Sequence, residues 1–225
     1  MTTNALPSAQ VAGQPGDAIV RYTFGERINH WIGALSYCYL LVTGLGFWSP
    51  YLFWLTAIVG GGPTARFWHP IMGLLFTVSI FWTSFSWRSD MAVDQQDRLW
   101  ASRLGYYIRN QDDQLPPTGR FNYGQKLFFW GIFYSMILLL LSGLALWFTE
   151  SLSWNLRFLR YAAILTHAIV ALITIGLFLI HVYMSVILEE GSFASMIHGT
   201  VSRAWARTFH RRWYEDVTGT SPSKR

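Results

Sequence analysis

The chain has 225 residues, 52% of them hydrophobic and 17% aromatic but only 13% charged, a balance outside that of soluble globular domains. Its formal net charge of +5 comes from basic residues gathered between and after apolar runs, a pattern of loops beside anionic lipid that carries no nucleic-acid signal. The single cysteine, Cys38, excludes an intrachain disulfide, a covalent CxxCH haem and a cysteine-ligated iron–sulfur cluster; it reads as a small buried residue.

In chain order, residues 1–20 are rich in Pro, Gly, Ala and polar side chains, with no basic n-region ahead of an apolar run, so they read as a disordered tail without a cleavable signal peptide. A hydrocarbon core of roughly 30 Å needs about 20 apolar residues in a helix. Four windows qualify, at about 28–48, 67–87, 127–148 and 160–188. The apolar stretch Tyr51 to Gly60 is too short to span and ends in Gly60-Gly61-Gly62-Pro63, which predicts an interfacial segment that turns back. The loop between spans two and three predicts a short surface helix with Trp100, Leu104, Tyr107 and Ile108 on one face and Arg103 and Arg109 beside them. After span four, VSRAWARTFHRRWY alternates aromatics with arginines and reads as a segment in the headgroup region; residues 216–225 read as a flexible tail. The fold class expected is an all-α integral membrane protein: a four-transmembrane-helix bundle with short interfacial helices in one loop and in the C-terminal segment, the membrane domain running over 21–215.

Of the 17 Lys and Arg residues, 14 fall before span one, between spans two and three, or after span four; only Arg66, Arg157 and Arg160 lie on the other side. The positive-inside rule then makes both termini and the middle loop cytoplasmic.

Ionisable groups inside a bilayer are costly and usually functional. Four of the six histidines fall in or at the edge of spans: His30, His69, His167 and His181. The alternating direction of the spans pairs His69 with His167 toward the outer face and His30 with His181 toward the inner face. His167 and His181 are fourteen residues apart, about 21 Å of helix rise, and 40° short of four full turns, so they point to nearly one side of span four. Two neutral imidazoles from facing helices suit a six-coordinate haem iron, and two such sites can stack across the membrane. Zinc is a weaker rival, because two ligands per site fall short of tetrahedral closure. Pro70 disfavours helix at His69, which predicts His69 as an N-cap with Pro70 at N1. Arg160 and Arg66 outside, and Arg21 or Arg27 inside, are candidate partners for haem propionates. Gly33, Gly44, Gly73 and Gly176 would admit a macrocycle, though each suits plain helix packing better. His198 and His210 read as solvated, as do Asp90, Asp94, Glu189 and Glu190 at the inner boundary.

Taken in order, RINHW, FWHP, FNYGQK, LRYAAILTH, LIHVYM and VSRAWARTFHRRWY resemble the gamma (cytochrome b) subunit of respiratory membrane-bound formate dehydrogenase, from about Arg21 to Glu215. The resemblance implies a bacterial inner-membrane protein with two b-type haems, His69 and His167 holding the outer iron and His30 and His181 the inner. It implies an iron–sulfur subunit and a molybdenum- or tungsten-pterin catalytic subunit as partners, so formate chemistry lies elsewhere and no residue here is catalytic. It further implies a quinone, menaquinone or ubiquinone, bound near the inner haem by an Asn-x-Gly-Gln segment, here Asn122, Gly124 and Gln125. On the residues alone, Asn122 with Gln125 also reads as a near capping box. The alternatives are the cytochrome b subunit of a nickel–iron hydrogenase or thiosulfate reductase, or a haem-free membrane anchor.

Overall fold

The computed structural model describes residues 17–109 and 111–219. Most of the two expected tails therefore lies outside the described residues. The tail boundaries nevertheless move: β1 (Ala18–Val20) is a strand, and the last helix runs to Thr218.

The chain continues through α1 (Phe24–Trp48), a 3₁₀ segment (Pro50–Val59), α2 (Gly62–Trp87), α3 (Gln95–Ser102), α4 (Leu104–Ile108), α5 (Tyr123–Trp147) and α6 (Arg157–Tyr183), which runs into a π turn at Met184–Leu188. There follow α7 (Ser192–His198), β2 (Thr200–Ser202), α8 (Arg203–Phe209) and α9 (Arg211–Thr218). Four helical stretches, Phe24–Trp48, Gly62–Trp87, Tyr123–Trp147 and Trp154–Leu188, are long and apolar enough to cross a membrane. They start four to six residues before the sequence windows. Helices persist through interfacial aromatic and polar residues that a count of apolar side chains leaves out.

The contacts divide the chain into two compact units. The first comprises Ile28–Arg88 and Phe128–His181, the membrane-crossing parts of α1, α2, α5 and α6. Outward faces carry large apolar side chains such as Leu35, Val78, Phe85, Leu165 and Leu179; lipid can cover such area where water could not. Cys38 is exposed on such a face, correcting its expected burial. Inside, Tyr37, Phe76, Ile132 and Met136 form an apolar cluster with Leu177 and Phe178 packed against it. The Tyr37 hydroxyl meets Thr174 Oγ1 at 3.2 Å, seven residues from both His167 and His181. Near the start of this unit α1 and α2 are clamped by polar groups. Asn29 Nδ2 donates to the Ser79 carbonyl at 3.0 Å and to Thr83 Oγ1 at 2.8 Å, and Ser79 Oγ donates to the Asn29 carbonyl at 2.9 Å. The approach requires Gly33, where a Cβ would stand 2.7 Å from Ser79 Oγ.

The short apolar segment turns back as expected. Gly60 and Gly61 take φ of 94° and 93°, which only glycine adopts freely, and their N–H groups close on Ala57 and Thr56 carbonyls. Pro63 occupies the first turn of α2, so Pro70 falls inside the helix and His69 is helical. The expected N-cap at His69 is thus corrected. Pro70 cannot bond the carbonyl four residues back, a loss that membrane helices tolerate when neighbours re-satisfy the freed group.

The second unit joins residues 17–27, 89–127 and 182–219. β1 pairs antiparallel with β2, Ile19 opposite Val201. Val201, Trp205, Ala206, Trp213 and Tyr214 form its core. The aromatic side chains Trp205, Trp213 and Tyr214 of the C-terminal segment are therefore the core of a folded unit, while its Arg203, Arg207 and Arg211 are exposed. Arginines from elsewhere in the unit find internal partners: the Arg21 guanidinium lies over the rings of Trp205 (4.6 Å), Trp213 (5.2 Å) and Tyr22 (5.3 Å), and Arg120 bonds Glu26 (2.7 Å) and Asp90 (3.0 Å). The single surface helix expected in the middle loop is two. α3 ends at Ser102 and α4 starts at Leu104, with Arg103 between them giving its N–H to the Trp100 carbonyl. Trp100 and Tyr107 are buried against one another at 4.9 Å, while Leu104 and Ile108 face outward.

His210, expected to be solvated, is fully buried. Its Nδ1 stands 2.8 Å from the Gly119 carbonyl and its Nε2 3.0 Å from Arg21 Nη2. A carbonyl only accepts and a guanidinium only donates, so the ring is neutral with its proton on Nδ1. Burial, and then the Arg21 charge, hold it well below the ordinary imidazole value of 6.5. In the unfolded chain the ring takes up a proton near that value while the folded one does not. The stability it contributes is complete above pH 6.5 and is lost at about 1.4 kcal/mol per pH unit below it. Thermal midpoints at pH 7.5 and 5.5 should differ more in the wild type than in His210→Gln; equal slopes would refute the assignment.

Candidate functional site

The first unit brings the four span histidines together in two pairs. His30 on α1 faces His181 on α6, and His69 on α2 faces His167 on α6; the ring centroids are 6.4 Å apart in each pair. The two rings are inclined by 50° in one pair and 56° in the other. These are the pairs that depth along the spans predicted.

The separation discriminates between chemistries. Two imidazoles in a direct N–H···N bond of about 2.9 Å would place their centroids about 5.1 Å apart. With about 2.0 Å for a metal–nitrogen bond and about 1.1 Å from nitrogen to centroid, two rings on one shared ion come to about 6.2 Å. The observed spacing suits the shared ion in both pairs.

Neighbouring groups agree with that use. Thr43 Oγ1 lies 2.7 Å from His69 Nδ1, and Ser142 Oγ lies 3.0 Å from His167 Nδ1. Both outer rings thus spend Nδ1 on a hydroxyl, leaving Nε2 for a metal, the usual division of labour in ligating histidines. Backbone gives way beside the same rings: a Cβ on Gly44 would stand 3.7 Å from His69 Cε1, and one on Gly143 3.3 Å from His167 Cε1. His30 Nδ1 is buried without a hydrogen-bond partner, and His181 stacks on Phe128 at 4.4 Å with planes 9° apart. The residues present fit two bis-imidazole haem sites.

Of the glycines considered for haem approach, Gly33 serves packing against Ser79 and Gly73 approaches Leu40. Arg160 is exposed on α6. Arg21 lies in its aromatic box and Arg27 donates to the Ile197 carbonyl, while Arg21 Nε and Nη1 and Arg27 Nε are buried with no hydrogen-bond partner.

The Asn-x-Gly-Gln segment lies in the second unit at the start of α5. Gln125 N–H donates to Asn122 Oδ1 at 2.9 Å and Asn122 N–H to Gln125 Oε1 at 3.1 Å, a reciprocal cap. Both amides then reach one carboxylate: Asn122 Nδ2 donates to Glu189 Oε1 (3.1 Å) and Gln125 Nε2 to Glu189 Oε2 (3.4 Å), with the Tyr107 hydroxyl 3.4 Å from Oε1. Glu189 is only 3% exposed, which corrects its reading as a solvated boundary charge. It follows the π turn, closed by its own N–H to the Met184 carbonyl at 2.9 Å; a π turn carries about one extra residue and so changes the direction in which Glu189 leaves the helix. Sequence reasoning missed Thr43, Ser142 and Gly143, because hydroxyls and glycines are scattered through all the spans.

A helical membrane protein whose crossing segments hold stacked histidine pairs is a cytochrome b in architecture. The chain belongs to the prokaryotic cytochrome b561 family, whose model matches residues 21–199. It is 35% identical to the formate dehydrogenase cytochrome b556(fdo) subunit of Escherichia coli K12, over 92% of this chain and 97% of that protein. The nitrate-inducible cytochrome b556(Fdn) subunit of the same strain is 30% identical, covering 92% and 94%. The formate dehydrogenase cytochrome b556 subunit of Haemophilus influenzae is 29% identical, covering 88% and 83%. The resemblance read from the motifs thus extends over most of the chain, in a multi-pass membrane protein of a family that implies haem b.

Proposed function

We propose that this protein is the cytochrome b subunit of a formate dehydrogenase, carrying electrons across the bacterial inner membrane through two haems b to a quinone. The observation that carries the reading is the pair of 6.4 Å imidazole spacings sharing α6. The histidine pairs would hold haem iron from both sides, and the group so held would supply one-electron transfer. His69 and His167 hold the outer haem, His30 and His181 the inner. Arg160, exposed at the outer end of α6, suits a propionate. The partners are an iron–sulfur subunit at the outer face and, beyond it, a molybdenum- or tungsten-pterin subunit where formate is oxidised.

Asn122, Gly124 and Gln125 hold the quinone at the cytoplasmic end of α5. Each amide nitrogen gives one N–H to Glu189 and retains a second for a quinone carbonyl. Glu189 thus orients both donors. With cytoplasmic termini, electrons move inward against about 2.3 kcal/mol per 100 mV of membrane potential, so the reaction stores redox energy as charge separation. Relatives of 29–35% identity named for formate dehydrogenase favour formate over hydrogen or a sulfur compound as the ultimate donor.

The test is haem content with quinone turnover. A pyridine haemochrome assay should give two haems b per chain. Gln125→Ala should slow quinol formation about tenfold or more while haem content stays whole. A haem-free chain would overturn the conduit, and undiminished turnover in the variant would overturn the quinone site.

A further inference from the structure

We propose that the Thr43 and Ser142 hydroxyls act as hydrogen-bond acceptors for the outer histidine pair and set the reduction potential of the outer haem below that of the inner one. The inference rests on the two-haem reading above and adds to it an ordering of the two potentials.

A hydroxyl has one proton, and in both residues it is already committed. Thr43 Oγ1 donates to the Tyr39 carbonyl at 2.8 Å, with Leu40 O further off at 3.3 Å. Ser142 Oγ donates to the Leu138 carbonyl at 2.6 Å, with Leu139 O at 3.3 Å. Each is the back-bond to the preceding turn that Ser and Thr make inside apolar helices. Toward His69 Nδ1 and His167 Nδ1 the oxygen therefore presents lone pairs only, and the ring nitrogens must donate. Both outer imidazoles are thereby held as the Nδ1–H tautomer, His167 with the Leu139 carbonyl as a further acceptor, and the Nε2 lone pair is left for iron.

The hydroxyls have no need of the histidines, since the back-bonds alone satisfy their protons; the rings are the groups that gain. An oxygen that is itself donating is the better acceptor, because chained hydrogen bonds polarise one another. An imidazole that donates from Nδ1 becomes a more electron-rich ligand at Nε2. A richer ligand favours ferric over ferrous iron and lowers the potential, and second-shell hydrogen bonding is one of the protein's known levers on haem. Here the effect is applied to both ligands of one iron.

The inner pair is built differently. His30 Nδ1 is buried with no acceptor, and the ring of His181 is held by stacking on Phe128. At least one inner ligand lacks the electron-donating bond that both outer ligands have. An electron passing from an outer to an inner haem would then move from a lower to a higher potential, which would offset the membrane potential opposing that movement. The contrast is carried by His30, which lacks the acceptor that His69 and His167 have.

The test is a spectroscopic redox titration of the purified full-length protein with its haems, in wild type, Thr43→Val, Ser142→Ala, the double variant and Thr43→Ser. His167→Ala marks which signal belongs to the outer haem. The double variant should keep two haems and shift the outer haem's ferric-to-ferrous equilibrium about tenfold toward ferrous, a rise of about 59 mV for one electron. The inner haem should not move, and Thr43→Ser, which keeps the acceptor, should titrate as wild type. Unchanged midpoints in a double variant with both haems present would overturn the proposal, as would a shift on the inner haem or an equal shift in Thr43→Ser. Loss of the haem from both single variants would make the hydroxyls holding groups and overturn tuning. A wild type with fewer than two bis-histidine haems fails earlier, and sinks the two-haem reading itself.

Discussion

His167→Ala loses about half of the haem, and what remains behaves as the inner site; His181→Ala loses the other half. The expectation follows from the geometry of α6, which contributes one ligand to each pair and sets them fourteen residues apart, about 21 Å of rise. Removing one imidazole leaves its partner across a gap of 6.4 Å between ring centres, too wide for the remaining ring to find a substitute in the same helix. In His167→Ala, His69 keeps its Thr43 contact and Ser142 keeps its back-bond, so the scaffold survives while six-coordination does not. Electron paramagnetic resonance of the low-spin ferric signals, with haemochrome quantification, separates the two sites. Two unchanged low-spin haems in both variants would show that the ligands are assigned wrongly.

The second large effect is on stability. Lys126, at the start of α5, is buried with Asp97 of α3: Nζ lies 2.7 Å from Asp97 Oδ2, with side-chain exposures of 4% and 7%. It also donates to the Ala92 carbonyl at 2.8 Å. Asp97 at the same time closes the capping box of α3 with Asp94. Lys126→Met leaves a buried carboxylate with only the Asp94 N–H to satisfy it, and breaking a buried pair from one side costs about 3–5 kcal/mol. The double change Lys126→Met with Asp97→Asn should recover much of that loss, because no unpaired charge is then buried. Thermal unfolding in detergent, followed by tryptophan fluorescence, reads the difference. A single variant as stable as wild type would show that the buried pair is worth little to stability.

What was legible in the sequence was whatever depends on spacing along one helix. Apolar length located the four crossing segments, and the alternation of their direction paired the histidines by depth, because rise per residue converts sequence number into position across the bilayer. What was not legible depended on partners far away in the chain. His210 sits among arginines and aromatics, a composition shared by headgroup anchors and folded cores. It is buried because Gly119, 91 residues away, and Arg21, 189 residues away, supply its two hydrogen bonds. Glu189 looked like an interface charge because no local pattern shows Asn122 and Gln125 reaching it. His69 was misjudged for the opposite reason: the local rule about Pro70 was sound, but Pro63 had already started the helix.

The Tyr37–Thr174 contact has its consequence at the middle of the bilayer. Tyr37 is flanked by the rings of Phe76 at 5.6 Å and Phe178 at 5.1 Å, beside the fully buried Met136. Thr174 spends its own proton on the Ala171 carbonyl, so the Tyr37 hydroxyl donates to it and both protons end on protein acceptors. An electron crosses such a layer without needing atoms to move, whereas a proton needs a continuous hydrogen-bonded chain. Such a layer would conduct an electron and insulate against a proton, and in the proposed conduit that selectivity would keep the separated charge from leaking back.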